Sequence, residues 1–119
     1  MQLAADTLFE FDKADLSPGA QTNLARVAEL VREGGAGAVT VIGHTDTKGR
    51  ADYNIDLSKR RAEAVAAWLH AQPGLEARAI TVEGRGMSEP IAPNTTAAGL
   101  DDPDGRARNR RVTIDIPGR

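Results

Sequence analysis

The segment Val39–Ala71, VTVIGHTDTKGRADYNIDLSKRRAEAVAAWLHA, decides the fold. Val39-Thr40-Val41-Ile42 is apolar and β-branched, the make-up of a short buried strand. Gly43 to Gly49 supply turn residues. From about Asp52 to Ala71 apolar residues recur at helical spacing, until Pro73 and Gly74 close the helix.

Reading outward, Ser17 followed by Pro18 gives an N-cap and a first-turn proline, and Leu24, Val27, Ala28 and Val31 recur with helical period. These predict a helix from Pro18 to about Glu33, stopped by Gly34, Gly35 and Gly37. Thr7 to Phe11 reads as a first strand, and Ala79 to Glu83 and Arg111 to Ile116 alternate as later ones. Residues 84–109 are rich in proline and glycine and read as one long irregular connection. The order β-α-β-α-β, loop, β predicts an α+β fold with helices packed on one face of a small mixed sheet.

With 119 residues, the chain is expected to form a single domain over residues 1–119, able to bury a core without staples. It has no cysteine, which excludes disulfides, thiolate metal sites and a cysteine nucleophile. Aromatic residues are 3% of the chain and the net charge is -2, which speaks against a base-stacking platform and against global attraction to nucleic acid or an anionic membrane. No window is apolar for long enough to span a bilayer, and Met1 to Thr7 lacks the regions of a signal peptide. The chain reads as a soluble domain excised or processed from a longer protein.

On a helical wheel turning about 100° per residue, Leu57, Trp68, Val65, Leu69, Ala62 and Ile55 form the arc expected to face the core. Asp56, Lys59, Arg60, Glu63 and His70 lie opposite, with Asp56/Arg60 and Lys59/Glu63 at ion-pair spacing. Asn54, Ser58 and Arg61 nevertheless fall inside the apolar arc. Polar groups placed there need partners, because a desolvated guanidinium without an acceptor is costly. In the last strand Arg110 shares the parity of Val112, Ile114 and Ile116, while Arg111 points the other way with Thr113 and Asp115. Arg61 and Arg110 are thus the two arginines expected to aim inward, and the other basic residues to lie on the surface.

Asp46 stands in the turn just beyond the strand Val39–Ile42, where ligands of sheets with parallel strands tend to bind. Two readings stay open. One is a buried Asp46–Arg61 salt bridge tying helix to sheet. The other is a cleft with separated charges, Asp46 as acceptor and Asn54, Arg61 and Arg110 as donors, suited to a zwitterion.

Val41-Ile42-Gly43-His44-Thr45-Asp46, then Gly49, Tyr53-Asn54, Leu57-Ser58, Arg61-Ala62, Gly84-Arg85-Gly86, Pro90-Ile91, Asn94 and Asn109-Arg110-Arg111-Val112 together resemble the OmpA-like, peptidoglycan-associating domain family. The opening Leu8-Phe9-Glu10-Phe11-Asp12 resembles that family's first strand and loop. The resemblance implies a βαβαβ-type domain that holds the diaminopimelate residue of the peptidoglycan peptide stem and anchors a parent envelope protein to the wall. It implies ligand roles for Asp46 and Arg61, with Asn54, Arg110, Phe11 and Asp12 lining the pocket. It implies a periplasmic or cell-envelope location; the residues themselves, with only two histidines, lead us to expect no cofactor, no metal and no enzymatic activity. A structural or homodimerising module of an envelope assembly is the alternative.

The stretch Ala98 to Asp104 departs from the family pattern and adds three aspartates. These read as a decorated surface loop, with altered ligand preference or calcium binding as alternatives. His44, at the end of a buried strand, reads as a hydrogen-bonded structural residue, and neither histidine has a second metal ligand or an oriented nucleophile beside it. Arg106, Arg108, Arg110 and Arg111 form a basic patch, but an acidic chain poor in aromatics does not suit nucleic acid.

Overall fold

The computed structural model describes residues 1–118. In chain order its elements are β1 (Gln2–Ala4), α1 (Ala5–Leu8), α2 (Ala20–Glu33), β2 (Val39–His44), α3 (Ala51–His70), β3 (Ile80–Gly84), α4 (Pro103–Asn109) and β4 (Arg111–Asp115). The strands form one mixed sheet in the order β1-β4-β2-β3, in which β2 and β3 are parallel and β4 is antiparallel to both β1 and β2. The α+β architecture is as expected.

The core lies between the sheet and the two long helices. Val39 and Val41 of β2 and Val112 and Ile114 of β4 meet Leu24, Val27 and Val31 of α2 and Ala62, Val65 and Leu69 of α3, all fully buried. On α3 the wheel holds for Leu57, Ala62, Val65 and Leu69, with Trp68 partly buried, but Ile55 is 51% exposed. Ile55 lies instead against Gly86 at the edge of the helix, where a Cβ on that glycine would touch it. Of the two ion pairs anticipated on the outer face, Asp56–Arg60 forms at 2.7 Å, whereas Lys59–Glu63 is not made among the described residues.

The N-terminal half of α3 sits directly on the ends of β2 and β3. A Cβ on Gly43 would collide with the Ser58 carbonyl, and one on Gly84 would lie 2.6 Å from the Lys59 amide nitrogen. Glycine at both positions lets helix and sheet backbones touch. Ser58 completes the seam by accepting the Gly86 N–H at 3.0 Å and donating to the Ile55 carbonyl. This approach brings Asn54 and Arg61 beside the turn that follows β2.

Three local expectations are corrected. Thr7 to Phe11 is not a strand: Leu8 and Phe9 are both buried, which neighbouring residues of a strand cannot achieve against one core, so Leu8 ends the α1 turn and Phe9 makes only an isolated bridge to Leu16. The sheet edge is filled by Gln2–Ala4, paired with Arg111–Thr113. The helix expected from Pro18 begins at Ala20; Ser17 does not cap it, since its hydroxyl turns to the Thr7 carbonyl at 3.4 Å. Residues 84–109 are not wholly irregular, because Pro103–Asn109 forms α4, capped by the Asp102 carboxylate accepting the Gly105 N–H at 2.9 Å.

Candidate ligand-binding site

Phe11, Asp12, Asp46, Asn54, Arg61 and Arg110 all line one cleft of about 510 Å³, beyond the C-terminal end of β2. Most come from three separate parts of the chain. The turn after β2 carries Asp46, α3 carries Asn54 and Arg61, and the α1–α2 connection supplies Phe11 and Asp12. Arg110 stands at the end of α4.

The turn is organised before any ligand arrives. Thr45 N–H donates to the Gly86 carbonyl at 2.8 Å, and Asp46 Oδ1 accepts the Lys48 N–H at 2.9 Å. Asn54 Nδ2 donates to the Lys48 carbonyl at 2.8 Å and more weakly to that of Asp46 at 3.5 Å. Asn54 therefore braces the backbone that presents Asp46.

The two charges expected to dominate the cleft do not pair with each other. Asp46 Oδ2 accepts from Arg110 Nη1 at 2.6 Å and from Arg106 Nη1 at 3.4 Å. Arg61 is 6% exposed and has no carboxylate within 4.0 Å among the described residues. It donates from Nε to the Lys13 carbonyl at 2.8 Å and from Nη2 to that of Glu10 at 3.4 Å, and its guanidinium lies 5.0 Å above the Phe9 ring. The Asp46–Arg61 salt bridge is absent, so these two charges stand apart; Arg110, expected as a further separate donor, is instead paired with Asp46, and the Asn54 amide is spent on backbone carbonyls. Burial lowers the proton affinity of Arg61, against the opposing pull of Asp6 and Asp12. The bidentate bond to Asp6 and the contact with Asp46 raise that of Arg110.

Phe11 stands at the rim, 94% exposed. Asp12 adopts φ 59°, the left-handed region uncommon for a side-chain-bearing residue, and its carboxylate accepts the Tyr53 hydroxyl at 2.6 Å. Around the cleft Asp6, Asp12, Asp46 and Asp101 face Lys48, Arg61, Arg106 and Arg110, so the charges balance and both signs are present within one opening.

Several participants are not legible in the sequence. Arg106 reads there as a surface residue, yet its side chain is 17% exposed and lines the cleft, gripped by Asp101 at 2.7 and 2.8 Å. Asn109 is fully buried and makes four hydrogen bonds, to the amides of Ile91 and Ala92, the Ala92 carbonyl and the Asn94 side chain. Its only signal is its place beside Arg110, without any hint of the loop it pins. Arg111, expected on the solvent side, is 6% exposed and donates to the carbonyls of Glu89 and Asn109.

His44 pairs with Arg111 across the sheet and faces away from α3, since its neighbour Gly43 faces the helix. Its Nδ1 is buried without a hydrogen-bond partner among the described residues and lies 3.9 Å from Glu89, so the hydrogen-bonded reading of this atom is not met. Burial, reinforced by Arg111, pulls its pKa down to about 4. Among the described residues no group of three or more His, Asp or Glu side chains converges as a metal site.

The sequence pattern of the OmpA family matches residues 8–110. The chain belongs to the OmpA family. It is 43% identical over 114 residues to outer membrane protein A of Bordetella avium, covering 96% of this chain and 55% of that protein. It is 41% identical over 106 residues to the peptidoglycan-binding protein ArfA of Mycobacterium bovis, covering 89% of this chain and 30% of that one. The chain thus spans about half or less of the length of these OmpA-family relatives. In three dimensions it is similar to the cell wall anchor of the type VI secretion system from Pseudomonas aeruginosa, with a TM-score of 0.82, 38% identity, and coverage of 99% of this chain and 80% of that one.

Proposed function

We propose that the chain is one peptidoglycan-binding module that holds the wall noncovalently through the diaminopimelate residue of the peptide stem, working in the cell envelope to anchor a larger protein. The observation that carries this reading is the buried Arg61 guanidinium, bonded to carbonyls but to no carboxylate among the described residues, sharing a cleft with Asp46. Among the described residues Arg61 has no carboxylate partner, and the free end of diaminopimelate brings one, on the same carbon as an ammonium that can donate to Asp46 Oδ1. Charged hydrogen bonds of this kind contribute about 1.5 to 3 kcal/mol each.

Arg110 balances Asp46 without exhausting it. Asn54 holds the turn in place, and Phe11 and Asp12, the latter held by the Tyr53 hydroxyl, form the wall against which the rest of the stem rests. The work is positional and electrostatic, with no bond made or broken.

The kinship with a peptidoglycan-binding protein and with a cell wall anchor supports the wall as ligand. Titration with a synthetic alanyl-γ-glutamyl-diaminopimelate tripeptide, beside the same peptide carrying lysine, tests the finer assignment. Lysine keeps the ammonium and lacks the second carboxylate, so it should bind at least about tenfold more weakly. Equal binding of the two peptides would refute the diaminopimelate reading.

A further inference from the structure

Asp6, Arg110, Asp46, Arg106 and Asp101 form one chain of ionic contacts that runs from α1 across the cleft to the loop before α4. Its two arginines are held alike. Arg110 gives Nε and Nη2 to the two carboxylate oxygens of Asp6, at 3.0 and 2.9 Å, and Arg106 gives the same two nitrogens to Asp101, at 2.7 and 2.8 Å. Only Nη1 of each reaches Asp46, and both fall on Oδ2. Oδ1 accepts the Lys48 N–H alone among the described residues.

A guanidinium is a planar fork that matches a carboxylate with two parallel bonds. A guanidinium with Asp46 as its sole carboxylate would be drawn to take both oxygens and close the acceptor. With the Nε–Nη2 edge already filled by an outer aspartate, neither arginine does so. Taken alone, this chain of contacts holds the three carboxylates of Asp6, Asp46 and Asp101 and the two guanidiniums of Arg106 and Arg110, and Asp12, Lys48 and Arg61 bring the cleft as a whole to balance.

We propose that Asp6 and Asp101 are positioning residues: by occupying Arg110 and Arg106 they keep Asp46 Oδ1 open for the ammonium of the ligand. This rests on reading the cleft as a zwitterion site. It also gives a role to the added stretch Ala98 to Asp104, whose Asp102 caps α4 and whose Asp101 fixes Arg106. Asp6 lies outside the residues that match the family, so this half of the device is built by the N-terminal turn.

The test is calorimetric titration of the diaminopimelate tripeptide into wild type, Asp6→Asn, Asp101→Asn, Arg106→Gln and the Asp101→Asn/Arg106→Gln double variant, with melting temperatures recorded for each. Asp6→Asn and Asp101→Asn should each weaken binding by about tenfold, the scale of one charge-assisted contact. In the Arg106→Gln background the Asp101→Asn change should cost less than about twofold, because no fork is left to restrain. A merely structural Asp101 would lower affinity in step with melting temperature whether or not Arg106 is present. Wild-type affinity in Asp101→Asn, or a loss that persists without Arg106, would overturn the positioning role. Failure of wild type itself to bind the tripeptide would instead overturn the zwitterion reading beneath it.

Discussion

Asp46 and Arg61 face one cleft without touching: the aspartate is bonded to Arg110 at 2.6 Å, and the arginine to the carbonyls of Lys13 and Glu10. Had they paired, the site would be a closed structural bridge. On the proposed reading, their separation leaves an acceptor and a donor for a ligand that carries both signs. Carbonyl oxygens and the Phe9 ring stabilise the buried guanidinium without neutralising it, which a carboxylate would do.

Asn54→Ala should act through the turn. Loss of the bond to the Lys48 carbonyl, at 2.8 Å, frees the segment that presents Asp46. The expected cost to stability is about 1 kcal/mol, with a several-fold loss of ligand affinity. Hydrogen exchange of the Lys48 amide, bonded to Asp46 Oδ1 at 2.9 Å, should quicken. Unchanged exchange at that amide would contradict the bracing role.

Asn109→Ala should be among the more damaging changes. The side chain is fully buried and satisfies two amides, one carbonyl and the Asn94 amide oxygen. Removing it leaves several of these groups unpaired, at a cost of about 2 to 4 kcal/mol read from the urea midpoint.

Gly43→Ala should push α3 off the sheet, because the new methyl meets the Ser58 carbonyl. A destabilisation of at least about 2 kcal/mol is expected. Gly19→Ala is the control: it has φ -82° and nothing within 4 Å of an added methyl, so it should be nearly neutral by thermal melting.

The fold should lose stability in mild acid through His44. Its pKa is pulled from 6.5 in the unfolded chain to about 4 in the folded one, first by burial and then by Arg111. The unfolded chain therefore takes up a proton that the folded one refuses. This contribution is fully present above pH 6.5 and is lost as the pH falls from 6.5 towards 4. Between pH 7 and pH 5 the loss from this group is on the order of 2 kcal/mol. Urea midpoints at the two pH values should differ in wild type and converge in His44→Gln.

Much of this site can be read from periodicity. Asn54, Ser58 and Arg61 interrupt the apolar arc of α3, and all three are buried on the inner side of the helix. Arg110 shares the parity of the buried residues of β4 and does reach the cleft. What alternation cannot show is whether the other face of a sheet is covered. Arg111 points away from the helices, yet residues around Glu89 fold over it and bury it.

The helix Pro103–Asn109 is hidden by its own start signals. Asp102 as cap and Pro103 in the first turn also read as loop chemistry, and the seven residues of the helix are too few for an apolar period to declare itself. The ionic link from Asp6 to Arg110 joins residues so distant in sequence that no local pattern encodes it, whereas Asp101 and Arg106 stand only five positions apart.

Cosedimentation with purified peptidoglycan sacculi tests the central claim most directly, comparing wild type with Asp46→Ala, Arg61→Ala and Arg60→Ala. Arg60 adjoins Arg61 in sequence but lies on the outer face, paired with Asp56 at 2.7 Å, a surface contact of little energetic weight. Wild type and Arg60→Ala should pellet with the sacculi, and Asp46→Ala and Arg61→Ala should remain largely in the supernatant. Wild type left in the supernatant, or three variants that behave alike, would contradict the assignment of this cleft as the wall-binding site.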